Sequence, residues 1–159
     1  MTETPKGRIL VLDDDPIVTR SIGQLLQEEG FDDVSTFTDP HRALDSLSNS
    51  EYHVVLSDFL MPEMDGIKVL RRVKENQPLA SRIILTGYAD KQNAIRSINE
   101  VGLYQYVEKP WDNESLVLVL RNAVERSHLL RQLDTQMREL SERNGDLEDL
   151  RARLFKAIL

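Results

Sequence analysis

Four short apolar runs in this chain each deliver a polar residue with chemistry to offer. Ile9-Leu10-Val11-Leu12 leads into Asp13-Asp14-Asp15, and His53-Val54-Val55-Leu56-Ser57 into Asp58. Arg82-Ile83-Ile84-Leu85 leads into Thr86, and Tyr104-Gln105-Tyr106-Val107 leads past Glu108 into Lys109-Pro110. Crowded carboxylates raise one another's pKa unless a cation compensates. All-oxygen sites built from carboxylates, waters and a phosphate suit Mg²⁺. An ammonium pairs with phosphoryl oxygens as a point charge, a threonine hydroxyl can donate to them, and a carboxylate is an established phosphoryl acceptor. Asp13, Asp14, Asp58, Thr86 and Lys109 together therefore suit a divalent cation and a phosphoryl group. Singly they say little. Asp13-Asp14-Asp15 alone reads more readily as a turn and helix cap, and Lys109 alone as a solvated surface lysine.

These five residues meet only if the runs are neighbouring parallel strands, because the carboxyl ends of an open α/β sheet line one crevice. The pattern supports that arrangement. Arg8 to Leu12 lacks polar alternation, as a strand buried on both faces should. Further strands are predicted at Val34–Phe37, Val54–Ser57, Ile83–Thr86 and Tyr104–Val107. Between them, Pro16 opens a helix with Ile17, Ile22, Leu25 and Leu26 as its apolar stripe and Gly30 as its stop. Asp39-Pro40 opens a second, carrying Ala43, Leu44 and Leu47. The loop Met61 to Gly66 precedes a third, carrying Ile67, Leu70 and Val73. A fourth is predicted over Asp90–Glu100 with Ala94, Ile95 and Ile98, and Gly102 breaks it. Five strands alternating with five helices predict a parallel sheet with helices on both faces.

From Asp112 or Asn113, either a fitting N-cap, the pattern becomes purely helical. Leu116, Val119, Ala123, Leu130, Leu133, Met137, Leu140, Leu147, Leu154 and Ile158 follow one alternating 3/4 spacing, a heptad seam. Arg126, Asn144 and Arg151 interrupt it, and Gly145 costs about 1 kcal/mol in a helix interior. A two-stranded parallel coiled coil is expected here, in preference to a long helix folding back on its own domain. The ending Phe155 to Leu159 has no C-cap, so the helix is expected to lead into a further output domain.

The 159 residues carry no cysteine, which excludes disulfides and thiolate metal sites. A net charge of −7 argues against direct nucleic-acid binding. No helix-turn-helix or basic recognition surface follows the strand-helix region. No apolar stretch approaches the roughly 20 residues of a bilayer span, and Met1 to Lys6 lacks a signal-peptide core. A cytoplasmic protein without membrane contact is expected.

Residues 8 to 126 resemble the receiver domain of the two-component response-regulator family. The resemblance rests on Ile9-Leu10-Val11-Leu12-Asp13-Asp14-Asp15, Ser57-Asp58-Phe59-Leu60-Met61-Pro62-Glu63-Met64-Asp65-Gly66, Leu85-Thr86-Gly87 and Tyr106-Val107-Glu108-Lys109-Pro110, in that order and spacing. It implies a flavodoxin-like, doubly wound, five-stranded sheet of order 2-1-3-4-5. It also implies residue roles. Asp58 would accept the phosphoryl group. Asp14 would ligate Mg²⁺ directly, Asp13 mainly through bound water, and Asp58 with the backbone carbonyl of Leu60 would complete the ligands. Thr86 and Lys109 would hold the phosphoryl group. Tyr106 would be the aromatic that turns inward when Thr86 moves, and Gly87 would leave room above the acceptor. The Lys109-Pro110 bond would be cis, which only X-Pro bonds adopt cheaply. Leu60 and Tyr88 are bulky at the positions flanking the phosphoryl group, so slow phosphate loss is expected.

The domain organisation expected is a flexible N-terminus over 1–7, the receiver over 8–126 and a coiled-coil extension over 127–159. The partner implied is a sensor histidine kinase or phosphotransfer protein. The output implied is remodelling of the face formed by the fourth helix, fifth strand and fifth helix, relayed through a homodimeric helix pair. No enzymatic activity is expected beyond assisting its own phosphorylation and dephosphorylation. The run Lys109 to Asn113 before a long helix also resembles receivers that precede cyclic-dinucleotide enzymes or kinase modules. Two other classes compete. Asp13-x-Asp15 fits a haloacid-dehalogenase-like phosphatase acting through Asp13, although Pro16-Ile17 follows where those enzymes continue Gly-Thr. A flavodoxin-like FMN carrier fits the topology, but three aspartates would repel its phosphate.

Overall fold

Alternation along each strand sets the architecture. In β1 (Arg8–Leu12), Ile9 and Val11 point to one side of the sheet and Leu10 and Leu12 to the other, and all four are buried. The computed structural model describes residues 4–87, 90–96, 98–143 and 146–159. Strands β2 (Asp33–Phe37), β3 (Val54–Asp58), β4 (Ser81–Thr86) and β5 (Gln105–Glu108) join β1 in one parallel sheet of order β2-β1-β3-β4-β5. The sheet agrees with the expected one in strand count, direction and order. One apolar layer packs Leu10, Leu12, Val55 and Ile84 against Ala43, Leu70, Val73 and Ala94. The other packs Ile9, Val11, Leu56, Ile83 and Leu85 against Ile22, Leu26, Leu116, Leu120 and Val124.

Three aspartates start the first three helices. Asp15 accepts from Ile17 N at α1 (Pro16–Glu28), Asp39 from His41 N at α2 (Pro40–Ser46), and Asp65 from Lys68 N at α3 (Gly66–Asn76). Pro16 and Pro40 occupy first-turn positions, where a missing N–H costs nothing. Gly30 ends α1's exit turn at φ 92°. Two stripe assignments change. Ile17 is 68% exposed, because it lies about 200° around α1 from buried Thr19. Ile95 is exposed as well, one residue on from buried Ala94. The fourth predicted helix consists of α4 (Lys91–Arg96) and α5 (Ile98–Val101), on either side of residue 97.

The largest departure is at the C-terminal end. Helix α6 (Asn113–Arg143) runs without a break through positions 126 and 127, and its first half belongs to the domain core. Ser81 Oγ donates to Ala123 O at 2.8 Å, Ser127 Oγ to Leu79 O at 2.7 Å, and Arg131 Nη2 to Tyr52 O at 2.8 Å. Packing therefore extends past the expected boundary by at least one turn. The chain then reverses, and α7 (Asp146–Ile158) lies back along α6, with Arg151 hydrogen-bonded to Asp134. Within one chain, the extension expected as a coiled coil is thus a helical hairpin folded back on its own domain. Its seam is divided. Leu116, Ala123 and Leu130 are buried in the chain's own domain, while Leu140 and Ile158 are 50% and 40% exposed. Asn144 and Gly145, which interrupt the seam, fall outside the described residues. Among the described residues no helix is long and apolar enough to cross a membrane.

Candidate metal and phosphoryl site

Parallel pairing in register brings the ends of β1, β3, β4 and β5 to one edge of the sheet. Asp13 follows β1 directly. Its N–H donates to Phe37 O at 3.1 Å, which ties it to the end of β2, and its Oδ1 accepts from Asp15 N at 2.9 Å. Asp58 closes β3 and is almost wholly buried. Lys109 reaches across from the end of β5 and bridges the two carboxylates. Its Nζ lies 2.7 Å from Asp13 Oδ2 and 3.1 Å from Asp58 Oδ1. Asp14 stays exposed at the mouth, and oxygens of Asp13, Asp14 and Asp58 lie within 4.8 Å of one another.

Three carboxylates facing one ammonium leave the site electron-rich. Burial pushes the Asp58 carboxyl up to about 6, and the Asp13 charge pushes the same way. Contact with Lys109 opposes both, and a hydrogen bond with Asp14 adds to the rise. On Lys109, burial favours the neutral amine, but its hydrogen bonds and charge pairing with Asp13 and Asp58 outweigh that, and its pKa rises. An oxygen-only donor set of buried and solvent-facing carboxylates is the chemistry a hard divalent cation requires.

The flanking loops hold these groups in place. Thr86 is buried, and its carbonyl accepts from Lys109 N at 2.9 Å, joining the ends of β4 and β5. Its hydroxyl donates to Gly87 O at 3.2 Å. Among the described residues, a side chain at Gly87 would meet Asp90 Oδ2 at 4.0 Å, an ordinary contact. The Lys109-Pro110 bond is cis, as the resemblance implied. Phe59 N donates to Leu85 O at 2.9 Å, and Gly66 N to Phe59 O at 2.8 Å. A side chain at Gly66 would collide with the Asp58 carbonyl, so this glycine lets α3 begin against the candidate acceptor's backbone. In the sequence Gly66 marks the end of a loop and of the Ser57 to Gly66 motif, and the Asp65-Gly66 pair after Pro62 is the local signal for this close approach.

The remaining expected residues have definite places. Tyr106 is half-buried on β5, opposite Ile84 in β4. Lys91 Nζ sits 5.6 Å from its ring centroid and 3.2 Å from Glu108 Oε1. This Lys91–Glu108 pair beside the candidate switch was not anticipated, since the partners sit on different elements. The Leu60 side chain is largely exposed, two residues past Asp58. Tyr88 lies outside the described residues. Asp15 is engaged as the α1 cap and is not in the carboxylate cluster, which removes the second member of the phosphatase pair.

Comparisons with known proteins agree with this geometry. The family model described as "Response regulator receiver domain" matches residues 9–121. The transcriptional regulatory protein FixJ of Bradyrhizobium diazoefficiens is 28% identical over 156 residues, covering 98% of this chain and 75% of that protein. The hydrogenase transcriptional regulatory protein HoxA of Cupriavidus necator is 35% identical over 136 residues, covering 84% of this chain and 28% of that protein. The chain spans 29% of a second HoxA, from Bradyrhizobium diazoefficiens, at 31% identity. Among solved structures, the signal receiver domain of an HD domain-containing protein from Pseudomonas fluorescens Pf-5 superposes with a TM-score of 0.72 at 34% identity, over 78% of this chain and 98% of that one. Full-length FixJ from B. japonicum gives 0.73 at 30% identity, over 90% and 70%.

Proposed function

Because this chain belongs to the response regulator receiver domain family of two-component signalling, we propose that Asp58 is its phosphoacceptor and that Asp13, Asp14, Asp58 and the Leu60 carbonyl hold the Mg²⁺ that receiver domains generally bind. The observation that carries this reading is Lys109 Nζ bridging Asp13 and Asp58 beneath a mouth lined by Asp14. Bound there, the cation would offset the charge of the three carboxylates and of the incoming phosphoryl group. The chain's own residues do the rest. An Asp58 oxygen attacks phosphorus as the bond to the donor's histidine nitrogen breaks. Lys109 exchanges its contact with Asp58 Oδ1 for a phosphoryl oxygen while keeping Asp13. The Thr86 hydroxyl gives up Gly87 O and donates to the phosphoryl group instead. Tyr106 and the Lys91–Glu108 pair respond to that movement, which carries a local charge change to the α4-β5-α6 face.

Receiver domains partner with histidine kinases or phosphotransfer proteins, and such a protein is the donor in this reading. The output runs through α6 and the residues after it, as a helix pair between two copies and without direct contact to nucleic acid. The chain catalyses only its own phosphorylation and dephosphorylation. Treatment with acetyl phosphate and Mg²⁺, followed by reductive trapping and peptide mass spectrometry, is expected to label Asp58 and to leave Asp58→Asn unlabelled. Label on Asp13 would restore the phosphatase reading and overturn this one.

A further inference from the structure

The hairpin of α6 and α7 places one part of the chain on a surface that another copy would need. The seam of α6 beyond the domain core consists of Leu133, Met137 and Leu140. Of these, Leu133 and Met137 are half-covered and Leu140 is exposed, with Asp134 between them reaching α7. Asp134 is held on both sides, by Arg151 Nε at 2.6 Å from α7 and by Arg138 Nε at 3.1 Å from its own helix. The side chains of Asp134 and Arg151 are only 15% and 21% exposed. One turn on, Phe155 is 9% exposed beside Gln77, Pro78 and Leu79, with the Arg151 guanidinium 5.6 Å from its ring. The Leu159 carbonyl lies where a side chain at Gly102 would stand.

We propose that α7 is a detachable latch, bound in cis to the α6 seam and to the turns before β4 and β5, and that a second copy of this chain competes with it for the same seam. The inference rests on the reading that α6 pairs between copies, and adds what holds that pairing back. Two observations favour a second copy as the competitor. The 3/4 spacing continues from Leu133 through Met137 and Leu140 to Leu154 and Ile158, so a straightened α6-α7 presents one longer seam to an identical helix. The latch is also lightly held. Within 148–158 Phe155 is the one buried residue, while Leu150 and Ile158 stay exposed. A segment with so few buried contacts opens at lower cost than the domain it sits on. Tethering gives α7 a high effective concentration, which favours the cis contact until that contact is weakened.

Three full-length variants test this: Phe155→Ala, Arg151→Glu and the charge swap Asp134→Arg with Arg151→Glu. Hydrogen exchange followed by mass spectrometry reports latch docking, and sedimentation equilibrium reports pairing. Each single variant should speed exchange in 148–158 about tenfold, the size expected for losing a partly buried ion pair and gaining a like-charge contact, or a buried ring. Exchange in β1 and β3 should stay unchanged, and the dimer fraction should rise. The charge swap should restore both readouts toward wild type. Rapid exchange of α7 in the wild type, unaltered in the variants, would sink the latch itself. An undocked α7 in a protein that stays monomeric would overturn the proposal, whereas a dimer fraction present in the wild type and unchanged in the undocked variants would keep the helix-pair reading of α6 and overturn only the competition.

Discussion

The two ends of the sheet bury charge in opposite ways. At the carboxyl end, Asp13 and Asp58 lie beside one ammonium with Asp14 at the mouth, so negative charge exceeds positive and the Asp58 carboxyl rises to about 6. At the amino end, Arg82 is wholly buried, and among the described residues no carboxylate is bonded to it. Its guanidinium donates to the carbonyls of Pro78, Ala80, Val101 and Gly102. Burial lowers its pKa to about 10, and the Arg126 charge lowers it further. The difference separates reactive from structural charge. Neutral carbonyl dipoles pair with the Arg82 guanidinium, whereas like charges crowd Asp58 beside a single ammonium. Arg82 clamps the turns before β4 and β5, the same turns that α7 covers.

The sharpest way to break this contrast is to remove Arg82. Arg82→Met leaves four carbonyls short of donors, and each unsatisfied buried group costs about 1–3 kcal/mol, offset in part by relief of the desolvated charge. A net loss of about 3 kcal/mol is expected in urea unfolding, with Asp58 labelling retained in the folded fraction. An unchanged midpoint would mean that Arg82 is not the clamp.

Next in size is Asp58→Asn, which should stabilise the metal-free protein by about 2 kcal/mol at pH 7. The sign follows from the raised pKa. Between about pH 4 and pH 6 the folded state binds more protons than the unfolded one, so wild-type stability falls as pH rises through that window. The variant lacks this fall, and its advantage should vanish near pH 4. A variant less stable than wild type at pH 7 would show that Asp58 is not held against electrostatic strain.

The smallest effect sharpens the contrast from the amino end. His53, just before β3, accepts from Arg8 N at 3.0 Å through Nδ1. Burial lowers its pKa to about 4, and the Arg131 charge acts in the same direction. Here the unfolded state binds more protons between about pH 6.5 and pH 4, so stability falls as pH drops, the opposite sign to Asp58. His53→Asn, whose Oδ1 can still accept from Arg8 N, should flatten that acid-side loss in a pH series of urea midpoints. An acid limb as steep as that of wild type would assign the loss to another group.

Asp13, Asp58, Thr86 and Lys109 were legible because each follows an apolar run whose end has only one place to go in a parallel sheet. Gly66 was not, since its need to be small comes from the Asp58 carbonyl, eight residues away in sequence and adjacent only once α3 folds against β3. The Lys91–Glu108 pair joins α4 to β5, and Arg82 looks from its position like a polar end to a strand. Ile17 shows the converse error. It counts toward apolar periodicity, but the face of α1 that reaches the sheet is set by Thr19, Ile22 and Leu26.

By itself, the sequence determined the elements, their alternation and the polar residue at each strand end, because apolar periodicity and capping are local properties read within a few residues. Tertiary structure decided which charges meet and which helix face is free. Lys109 bridges Asp13 across 96 residues, and Arg151 meets Asp134 only because the chain reverses between them. A heptad pattern specifies that a stripe is apolar. Whether it is covered by the chain's own domain, by a returning helix or by a second copy depends on through-space competition that spacing does not encode.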